Sequence, residues 1–448
     1  MIKLYCASWV LPIDSAPIPE GAIAVDGNRI VAVDRAAVLR TQYPEATVRD
    51  FTNSAIIPGL INAHSHLELT AMRGFLEKEE GDFFAWLRKL TVARLERMTT
   101  DDLYVSAAWG ACEAARAGVT CFADASDSGA TSMRALIDTG LRGIVFQESF
   151  GPDPRLVQEN FEKLQQKVAR LRELETSLVK VGVSPHAPYT VCGPQLEMIS
   201  RFAIDQELPL MMHAAETDME VEFLRDGCGP FGDGLRSRGI ELQAPNTTPI
   251  QHLERYGVLA TKPLLAHCIK VDDADLDLLA ETQSSIAHCP KSNAKLGHGV
   301  APFANFLKKG VAVGFGSDSM ASNNNCDLLE EARFAGMMAR TEDQSFMNAS
   351  QLLETATAGA ARAAGLNDQI GELREGLQAD FAVISLDGPH QQPMYDVCDT
   401  LIFASSGRDV TMTVVAGREV YSEGRVNTLD EERVRARVNE VAKKLSHR

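Results

Sequence analysis

The fold is decided by the stretch Pro58-Gly59-Leu60-Ile61-Asn62-Ala63-His64-Ser65-His66-Leu67-Glu68. Pro58 and Gly59 break the chain, a short apolar run follows, and His64 and His66 then stand one residue apart. In an extended strand, residues two apart point to the same side, so two imidazoles at a strand end can bind one metal ion. A His-x-His pair alone is a weak signal, because surface histidines also pair by accident. The remaining ligands must therefore come from elsewhere in the chain.

The composition excludes several classes of partner. Of the 448 residues, 45% are hydrophobic and 23% are charged, which is ordinary for a globular protein with a large core. The formal net charge is −17, and such a chain lacks the basic face that nucleic acid or an anionic membrane requires. No run of 18 apolar residues occurs, so no membrane span is expected. Pro12 and Asp14 end the apolar start without a cleavage site, which predicts a first strand and not a signal peptide.

The cysteines indicate a reducing compartment. The chain has nine of them, an odd number, and no Cys-x-x-Cys pair. Both features argue against a disulfide framework, and we therefore expect a cytoplasmic protein.

From residue 58 onward, short apolar runs alternate with longer helical stretches. Eight runs have the length and composition of buried strands: Ile56–Ala63, Thr120–Asp124, Gly143–Gln147, Val179–Ser184, Leu208–His213, Pro263–His267, Ser285–His288 and Val311–Gly316. Helical patterns lie between most of them: Asp101–Ala117, Ser132–Asp138, Asn160–Leu174, Gln195–Asp205, Asp272–Glu281 and Pro302–Lys309. Eight such units predict an α/β fold, a (β/α)8 TIM barrel. The alternative is an open, doubly wound sheet.

Strand character flanks the barrel on both sides. The first 57 residues contain three short β-rich runs, with Asp26-Gly27-Asn28 as a hairpin signal. After residue 370 strands are predicted at Asp380–Ile384, Thr400–Phe403, Val410–Val415 and Glu419–Tyr421. We therefore expect a small β-sandwich domain built from both chain ends, residues 1–57 together with 371–428. The barrel occupies residues 58–370, and residues 429–448 form a C-terminal helix.

Polar groups stand at the carboxyl ends of the predicted barrel strands. Seven of the ten histidines fall at or near these ends. The groups in chain order are His64 and His66, His186, His213 and Glu216, His267, His288, and Asp318, with His298 nearby. Catalytic residues of such barrels gather on this one face. A single histidine after an apolar run is usually a core residue, but six strand ends carrying polar groups indicate one site.

Three histidines and an aspartate can hold a divalent ion and leave a position open for water. The predicted ligands are His64, His66, His213 and Asp318. A bound ion would lower the pKa of its water from about 15.7 toward 7. Asp318 can also accept the proton of that water.

Two further residues are predicted to act in catalysis. Glu216 lies three residues after His213 and can carry a proton from water to a substrate nitrogen, although a solvated charge has the same pattern. His267 can hydrogen-bond the attacking oxygen, or bind metal in a two-metal site. No lysine near strand four offers the bridge common in two-metal sites, which favours one metal.

The substrate pocket is predicted from two further patterns. His186 and His288 are expected to line it. The aromatic segment 75–97 is either core packing or a lid that presents Trp86 to a ligand. Two features stay without assignment: the role of Glu68, and the segment 220–234.

The ordered motifs resemble the amidohydrolase superfamily. They are 58–66, Ser184-Pro185-His186-Ala187-Pro188-Tyr189-Thr190, His213-Ala214-Ala215-Glu216-Thr217, His288-Cys289-Pro290-Lys291-Ser292-Asn293, Gly316-Ser317-Asp318 and Gly371-Glu372-Leu373-Arg374-Glu375-Gly376. Within it the sequence is similar to the branch of adenosine, methylthioadenosine/S-adenosylhomocysteine and guanine deaminases and triazine chlorohydrolases. The resemblance implies one zinc, or alternatively iron, the same four ligands, Glu216 as acid/base, His267 orienting the attacking oxygen, and a homodimer or larger homo-oligomer.

The predicted function is a metal-dependent hydrolytic deaminase that releases ammonia from an amino-substituted, purine nucleoside-like N-heterocycle. The alternative is a hydrolase of another C–N or C–Cl bond, of the aminofutalosine deaminase, triazine hydrolase or phenylurea hydrolase type. A non-enzymatic protein on the same scaffold would have lost ligands, and all the expected positions are present.

Overall fold

Both ends of the chain meet in one β-sheet. The computed structural model describes residues 1–446, so the last two residues of the predicted terminal helix lie outside the described residues. The N-terminal strands are Lys3–Val10 (β1), Ile18–Asp26 (β2), Arg29–Arg35 (β3) and Thr47–Pro58 (β4). The predicted hairpin is confirmed, since β2 pairs antiparallel with β3 across Gly27, whose φ is 58°.

Eight parallel strands make the barrel. They are Leu60–Ser65 (β5), Val119–Ser126 (β6), Arg142–Ser149 (β7), Val179–Pro185 (β8), Met211–Ala214 (β9), Leu264–His267 (β10), Ser285–His288 (β11) and Val313–Phe315 (β12). Strands β5 to β8 pair in sequence order, and so do β9 to β12. Parallel bridges between Val183 and Leu210 and between Ser65 and Asp318 join the two halves into a ring. The predicted α/β barrel is thus the observed architecture.

The barrel strands read as continuous apolar runs because helices cover their outer faces. Small and medium residues, including Ala63, Ala123, Ala266 and Ala287, fill the inside. The helices are Ala36–Gln42, Phe83–Arg97, Thr100–Arg116, Gly129–Thr139, Val157–Leu174, Gly193–Asp205, Asp218–Asp226, Gly229–Arg236, Pro249–Arg255, Asp273–Glu281, Pro290–Lys295, Phe303–Lys308, Met320–Asn323, Leu328–Asp343, Ala349–Glu354, Ala360–Ala363, Val397–Asp399 and Glu431–Ser446.

The C-terminal strands return to the first sheet. They are Phe381–Ser385 (β13), Val410–Val415 (β14), Arg418–Ser422 (β15) and Arg425–Val426 (β16). The sheet has the order β16-β15-β14-β13-β4-β1-β2-β3, so β4 pairs with strands from both chain ends. Strand β4 ends at Pro58, and β5 begins at Leu60. The stretch around Gly59 is therefore the passage from the terminal sheet into the barrel.

One predicted strand is wrong. Thr400–Phe403 is helical in the structure: Val397–Asp399 forms a helical turn, and Thr400–Ala404 continues it as a wider π-type turn. The Asp396 side chain caps this segment by accepting a hydrogen bond from the backbone N–H of Asp399 at 2.9 Å. A short run of three apolar residues, here 401–403, has the same pattern in a buried strand and in a buried helix, so the run alone could not distinguish them.

The aromatic segment after β5 contains the helix Phe83–Arg97. It begins at Asp82, whose side chain accepts a hydrogen bond from the Ala85 N–H at 3.0 Å, a standard N-cap. Among the described helices, none combines the length and the apolar composition that a bilayer-spanning segment needs. All nine cysteines, each within the described residues, are free thiols.

Candidate metal centre and active-site cavity

Four predicted ligands converge at the carboxyl ends of β5, β9 and β12. His66 Nε2 lies 3.1 Å from His213 Nε2. Asp318 Oδ1 lies 3.5 Å from His64 Nε2 and 3.7 Å from His66 Nε2. The chain brings together residues up to 254 positions apart because parallel barrel strands end on the same face.

The backbone around these groups is tightly fixed. The Asp318 N–H donates to the His64 carbonyl at 2.9 Å, which ties the last barrel strand to the first. A Cβ on Gly316 would lie 2.8 Å from His64 Cβ and 2.9 Å from Cys289 Sγ, so this close approach requires glycine. Asp318 itself has a φ of 55°, a conformation that non-glycine residues rarely adopt and that often marks functional sites.

Neighbouring groups orient the ligand atoms. His213 Nδ1 contacts the His186 carbonyl at 2.9 Å, which leaves Nε2 facing the cluster. Asp318 Oδ2 accepts hydrogen bonds from the hydroxyls of Ser292 at 2.6 Å and Ser322 at 2.9 Å. Its other oxygen, Oδ1, therefore stays available for a metal ion. Such outer partners fix the ring and carboxylate orientations that a metal site needs.

The donor set fits a divalent metal ion. His64 Nε2 is buried and has no hydrogen-bond partner among the described residues, as expected of a nitrogen that binds metal. Burial keeps the imidazoles neutral: it lowers the pKa of His66 to about 3 and shifts the pKa of His213 well below its ordinary value. Burial alone would raise the pKa of Asp318, but His64 and the other imidazoles hold it well below its usual range. Neutral imidazole nitrogens and an ionised carboxylate are the forms that bind metal.

His267 lies beside the same cluster. Ligand atoms of His64, His213 and His267 lie within 4.8 Å of one another, so the geometry also allows His267 to contact a metal. Its Nδ1 lies 2.9 Å from Asn293 Oδ1, which leaves Nε2 facing the site. The φ of His267 is 74°, a second strained backbone position at this end of the barrel.

Glu216 faces His267 from the loop after β9. Its Oε1 lies 3.7 Å from His267 Nε2 and 3.6 Å from His298 Nε2. Burial, followed by the negative charge of Asp318, raises the pKa of Glu216 to about 8, although the Tyr189 hydroxyl acts in the opposite direction. Glu216 is therefore protonated at neutral pH and can act as a proton donor.

Glu220 fixes the loop that carries Glu216. Its Oε1 accepts from the Ala215 N–H and its Oε2 from the Glu216 N–H, both at 2.9 Å. Ala215 has a φ of 52°, and the Thr217 side chain caps the helix Asp218–Asp226. The unassigned segment 220–234 thus begins with this helix and continues into the helix Gly229–Arg236.

A cavity of about 450 Å³ opens onto this cluster. Two predicted contact residues, Trp86 and His186, line it, together with His66, His213, Glu216, His267 and Asp318. Apolar side chains from the segment 83–95 form much of the remaining wall, and the helix Phe83–Arg97 lies over the site. His288 lies apart from this wall: it is 2% exposed, and its ring stacks on Phe303 at 5.2 Å. The predicted substrate contact of His288 therefore stays a prediction.

Glu68, which the sequence left unassigned, is buried beside the cavity. It accepts hydrogen bonds from the Ser126 hydroxyl at 2.8 Å and the Ser128 N–H at 3.0 Å, and it lies 3.5 Å from Arg94. Arg94 belongs to the helix Phe83–Arg97. Glu68 thus ties that helix to the loop after β6.

Two other acidic residues were missed. Glu148 follows the predicted run Gly143–Gln147 directly, so the strand-end rule that selected the histidines could have found it. Glu220 had no comparable signal, because its importance comes from two backbone N–H groups that only the folded loop presents.

Comparison with known proteins agrees with this geometry. The sequence profile of the amidohydrolase family matches residues 55–420. A profile for the imidazolonepropionase-like composite domain of bacteria matches residues 21–46, within the terminal sheet. The 5-methylthioadenosine/S-adenosylhomocysteine deaminase of Moorella thermoacetica is 31% identical over 434 residues, 96% of each chain. The corresponding deaminase of Symbiobacterium thermophilum is 33% identical over 401 residues, 88% of each chain.

Solved structures of other proteins have the same fold as this chain. An adenosine deaminase from Xanthomonas campestris with bound zinc superposes with a TM-score of 0.87 at 26% identity, covering 99% of this chain and 98% of that one. An atrazine chlorohydrolase from Arthrobacter aurescens, complexed with zinc, superposes with a TM-score of 0.82 at 24% identity, which supports the shared fold alone. The profile match and the relatives above 30% identity together place the chain in the amidohydrolase family, to which it belongs.

Proposed function

We propose that this protein is a metal-dependent hydrolytic deaminase that releases ammonia from an amino-substituted N-heterocycle of the purine-nucleoside type. One observation carries the proposal: Glu216, a buried acid with a pKa raised to about 8, faces the same cavity as the histidine–aspartate cluster. Removal of an amino group from a ring needs a proton donor for a nitrogen, and a carboxyl that is protonated at neutral pH can be that donor.

We assign the metal site to His64, His66, His213 and Asp318, with zinc as the ion and iron(II) as the alternative. Nitrogen and oxygen donors with one open position suit catalytic zinc, and the Xanthomonas campestris relative was solved with zinc. When bound, the ion would supply an activated water at neutral pH.

The protein groups around that water can then move the protons. Asp318 accepts a proton from the attacking water, while Glu216 donates its proton to the ring nitrogen next to the attacked carbon. His267 hydrogen-bonds the attacking oxygen, and Asn293 holds the His267 ring in position. Asp318 then gives its proton to the leaving amino group, and ammonia departs. Glu216 recovers a proton from the new hydroxyl as it becomes a carbonyl, which restores the starting state.

The cavity wall suggests how the heterocycle is held. Trp86 and His186 are proposed to contact the ring, since both line the cavity and His186 packs on Phe150 at 4.7 Å. We also propose a cytoplasmic homodimer: the free thiols support a reducing compartment, and the family resemblance supports a homo-oligomer.

The alternative is hydrolysis of another C–N bond or of a C–Cl bond at the same site. The relatives above 30% identity are deaminases, which supports a nitrogen leaving group, whereas Glu216 would protonate the ring nitrogen in either reaction. The likeness to the chlorohydrolase does not favour the alternative, since at 24% identity it concerns the fold.

The test is a substrate panel assayed with the zinc-loaded enzyme. Adenosine, 5′-methylthioadenosine, S-adenosylhomocysteine, guanine, a pterin and a chlorotriazine would be followed for ammonia and for chloride. We expect ammonia from at least one purine compound and no chloride. The metal-free protein and Glu216→Gln serve as controls: the first should be inactive and the second strongly impaired. Chloride release without ammonia release from any compound would contradict the proposal.

A further inference from the structure

Glu148 is a buried acid at the active-site cavity that the proposed mechanism does not use. It lies near the carboxyl end of β7, where it pairs with Ser184 of β8. The residue is 6% exposed, and its side chain lines the cavity. It is therefore placed where a bound substrate would meet it.

One oxygen of the buried Glu148 carboxyl has no hydrogen-bond partner in the part of the chain that the structure describes. Its Oε1 is buried and has no hydrogen-bond partner among residues 1–446. His66 Nδ1 lies 3.9 Å from this oxygen, beyond hydrogen-bond range. A buried oxygen without a partner is unfavourable, and most such atoms in folded proteins have one.

Two neighbouring acids that also line the cavity, Glu68 and Asp127, differ from Glu148 because they are already satisfied. Glu68 accepts two hydrogen bonds, from Ser126 and Ser128. Asp127 pairs with Arg94 and accepts from Lys167 Nζ at 2.7 Å. The nearby cations are thus engaged by other carboxylates. Glu148 stands apart as an acceptor that a ligand can satisfy.

A second metal ion is a poorer explanation for this group. Ligand atoms of Glu148, His186 and His213 lie within 4.8 Å of one another. However, His213 Nδ1 contacts the His186 carbonyl, and its Nε2 lies 3.1 Å from His66 Nε2, inside the cluster already assigned. That leaves two protein ligands for a second ion, fewer than the three or four that zinc sites in proteins use.

We propose that Glu148 accepts a hydrogen bond from a hydroxyl group of the bound substrate and so determines which compounds are processed efficiently. The inference rests on the proposed deaminase function and adds a specificity residue to it. A site built to hydrogen-bond a donor discriminates strongly against analogues that lack it, because the buried acceptor is then left unpaired.

The experiment pairs substitutions at Glu148 with analogues that lack one donor. Wild type, Glu148→Gln and Glu148→Leu, all loaded with zinc, would be assayed with adenosine, its 2′-deoxy, 3′-deoxy and 5′-deoxy forms, and adenine. We expect one analogue to lose about tenfold or more in kcat/KM with wild type. Glu148→Leu should lose about as much on adenosine and show no further loss on that analogue. Glu148→Gln keeps an acceptor oxygen and should resemble wild type within about threefold.

Metal content and thermal unfolding, measured for all three proteins, separate a role in substrate recognition from a role in metal binding and from a role in folding. If Glu148→Leu loses its zinc, or if Glu148→Leu weakens turnover of every compound by the same factor, the inference is wrong. It is also wrong if wild type treats all the analogues alike. If wild type deaminates another purine of the wider panel but neither adenosine nor its deoxy forms, the inference is wrong and the deaminase proposal stands; if no compound of that panel yields ammonia, the deaminase proposal fails and the inference fails with it. When wild type is folded, holds zinc and deaminates adenosine, the differences among the three proteins are due to Glu148.

Discussion

The carboxylate of Glu220 holds the backbone of Glu216: Glu220 Oε2 accepts a hydrogen bond from the Glu216 N–H at 2.9 Å. The other oxygen accepts from Ala215 at the same distance. Two consecutive N–H groups aimed at one carboxylate fix the direction in which the Glu216 side chain leaves the loop. The residue that positions the proposed acid thus lies one helical turn beyond it.

Glu220→Gln should therefore impair turnover without emptying the metal site. An amide has one acceptor oxygen, so one of the two N–H groups loses its partner and the loop shifts. We expect kcat to fall on the order of 10²-fold, as small misplacements of catalytic groups do, with KM and zinc content nearly unchanged. The half-buried Glu222, on the same helix, provides the matched control Glu222→Gln. A rise in KM with normal kcat would argue against positioning.

Glu216→Gln should separate metal binding from proton transfer. Glutamine keeps the shape of the side chain but cannot donate a carboxyl proton. We expect zinc stoichiometry equal to wild type and a kcat lower by about 10²–10⁴-fold, the usual contribution of a general acid–base. Near-normal kcat would remove Glu216 from the mechanism. Metal analysis alongside steady-state kinetics provides both numbers from one preparation.

The pH dependence of kcat/KM, which reports ionisations of the free enzyme, should have a basic limb set by Glu216. Burial raises the pKa of this carboxyl to about 8, and the protonated form is the proposed donor. Activity should therefore be full below that pKa and fall as the pH rises through it. Profiles between about pH 6 and pH 10 would show the limb. If the residual activity of Glu216→Gln keeps the same limb, another group controls it.

The sequence predicted proximity of residues where the barrel topology alone determines it. His64, His213 and Asp318 were found because parallel strands of a barrel end on one face, so strand position alone predicts that they meet. The strand prediction at Thr400–Phe403 was wrong, because three consecutive apolar residues show no periodicity that separates a strand from a helix. The sequence also did not predict side-chain orientation at a strand end: the His288 ring stacks on Phe303, and its proposed substrate contact stays a prediction. Such orientation depends on contacts with distant residues, which a single sequence does not reveal.

Removal of the metal should destabilise the protein. The proposed ligands are buried, and a ligand that binds only the folded state stabilises it by an amount that grows with its free concentration. At a free zinc concentration about 100 times Kd, this linkage is worth about 2.7 kcal/mol. We expect Tm to fall on chelation and to recover when zinc is restored. His213→Asn, which removes one proposed ligand, should bind less zinc and show a smaller Tm response. An unchanged Tm in both proteins would contradict a metal at this cluster.

Arg142 and Asp380 join the barrel to the terminal sheet, and their pair should matter for stability. Arg142, at the start of β7, donates to Asp380 through Nε at 2.9 Å and through a terminal nitrogen at 3.1 Å, with both side chains almost fully buried. Asp380 also accepts from the Ala416 N–H at 2.7 Å, so the carboxylate has several donors.

Replacing one partner leaves the other charge buried without compensation, which typically costs about 3–5 kcal/mol. Arg142→Met or Asp380→Asn should therefore lower the free energy of unfolding by about this amount in denaturant titrations. The double variant should cost less than the sum of the two, because the second change removes the isolated charge. The exposed pair Lys163–Glu159 offers a control, since Glu159→Gln should change stability by less than about 1 kcal/mol. If Asp380→Asn behaves like that surface control, the terminal sheet and the barrel are held together by their apolar contacts and not by this ion pair.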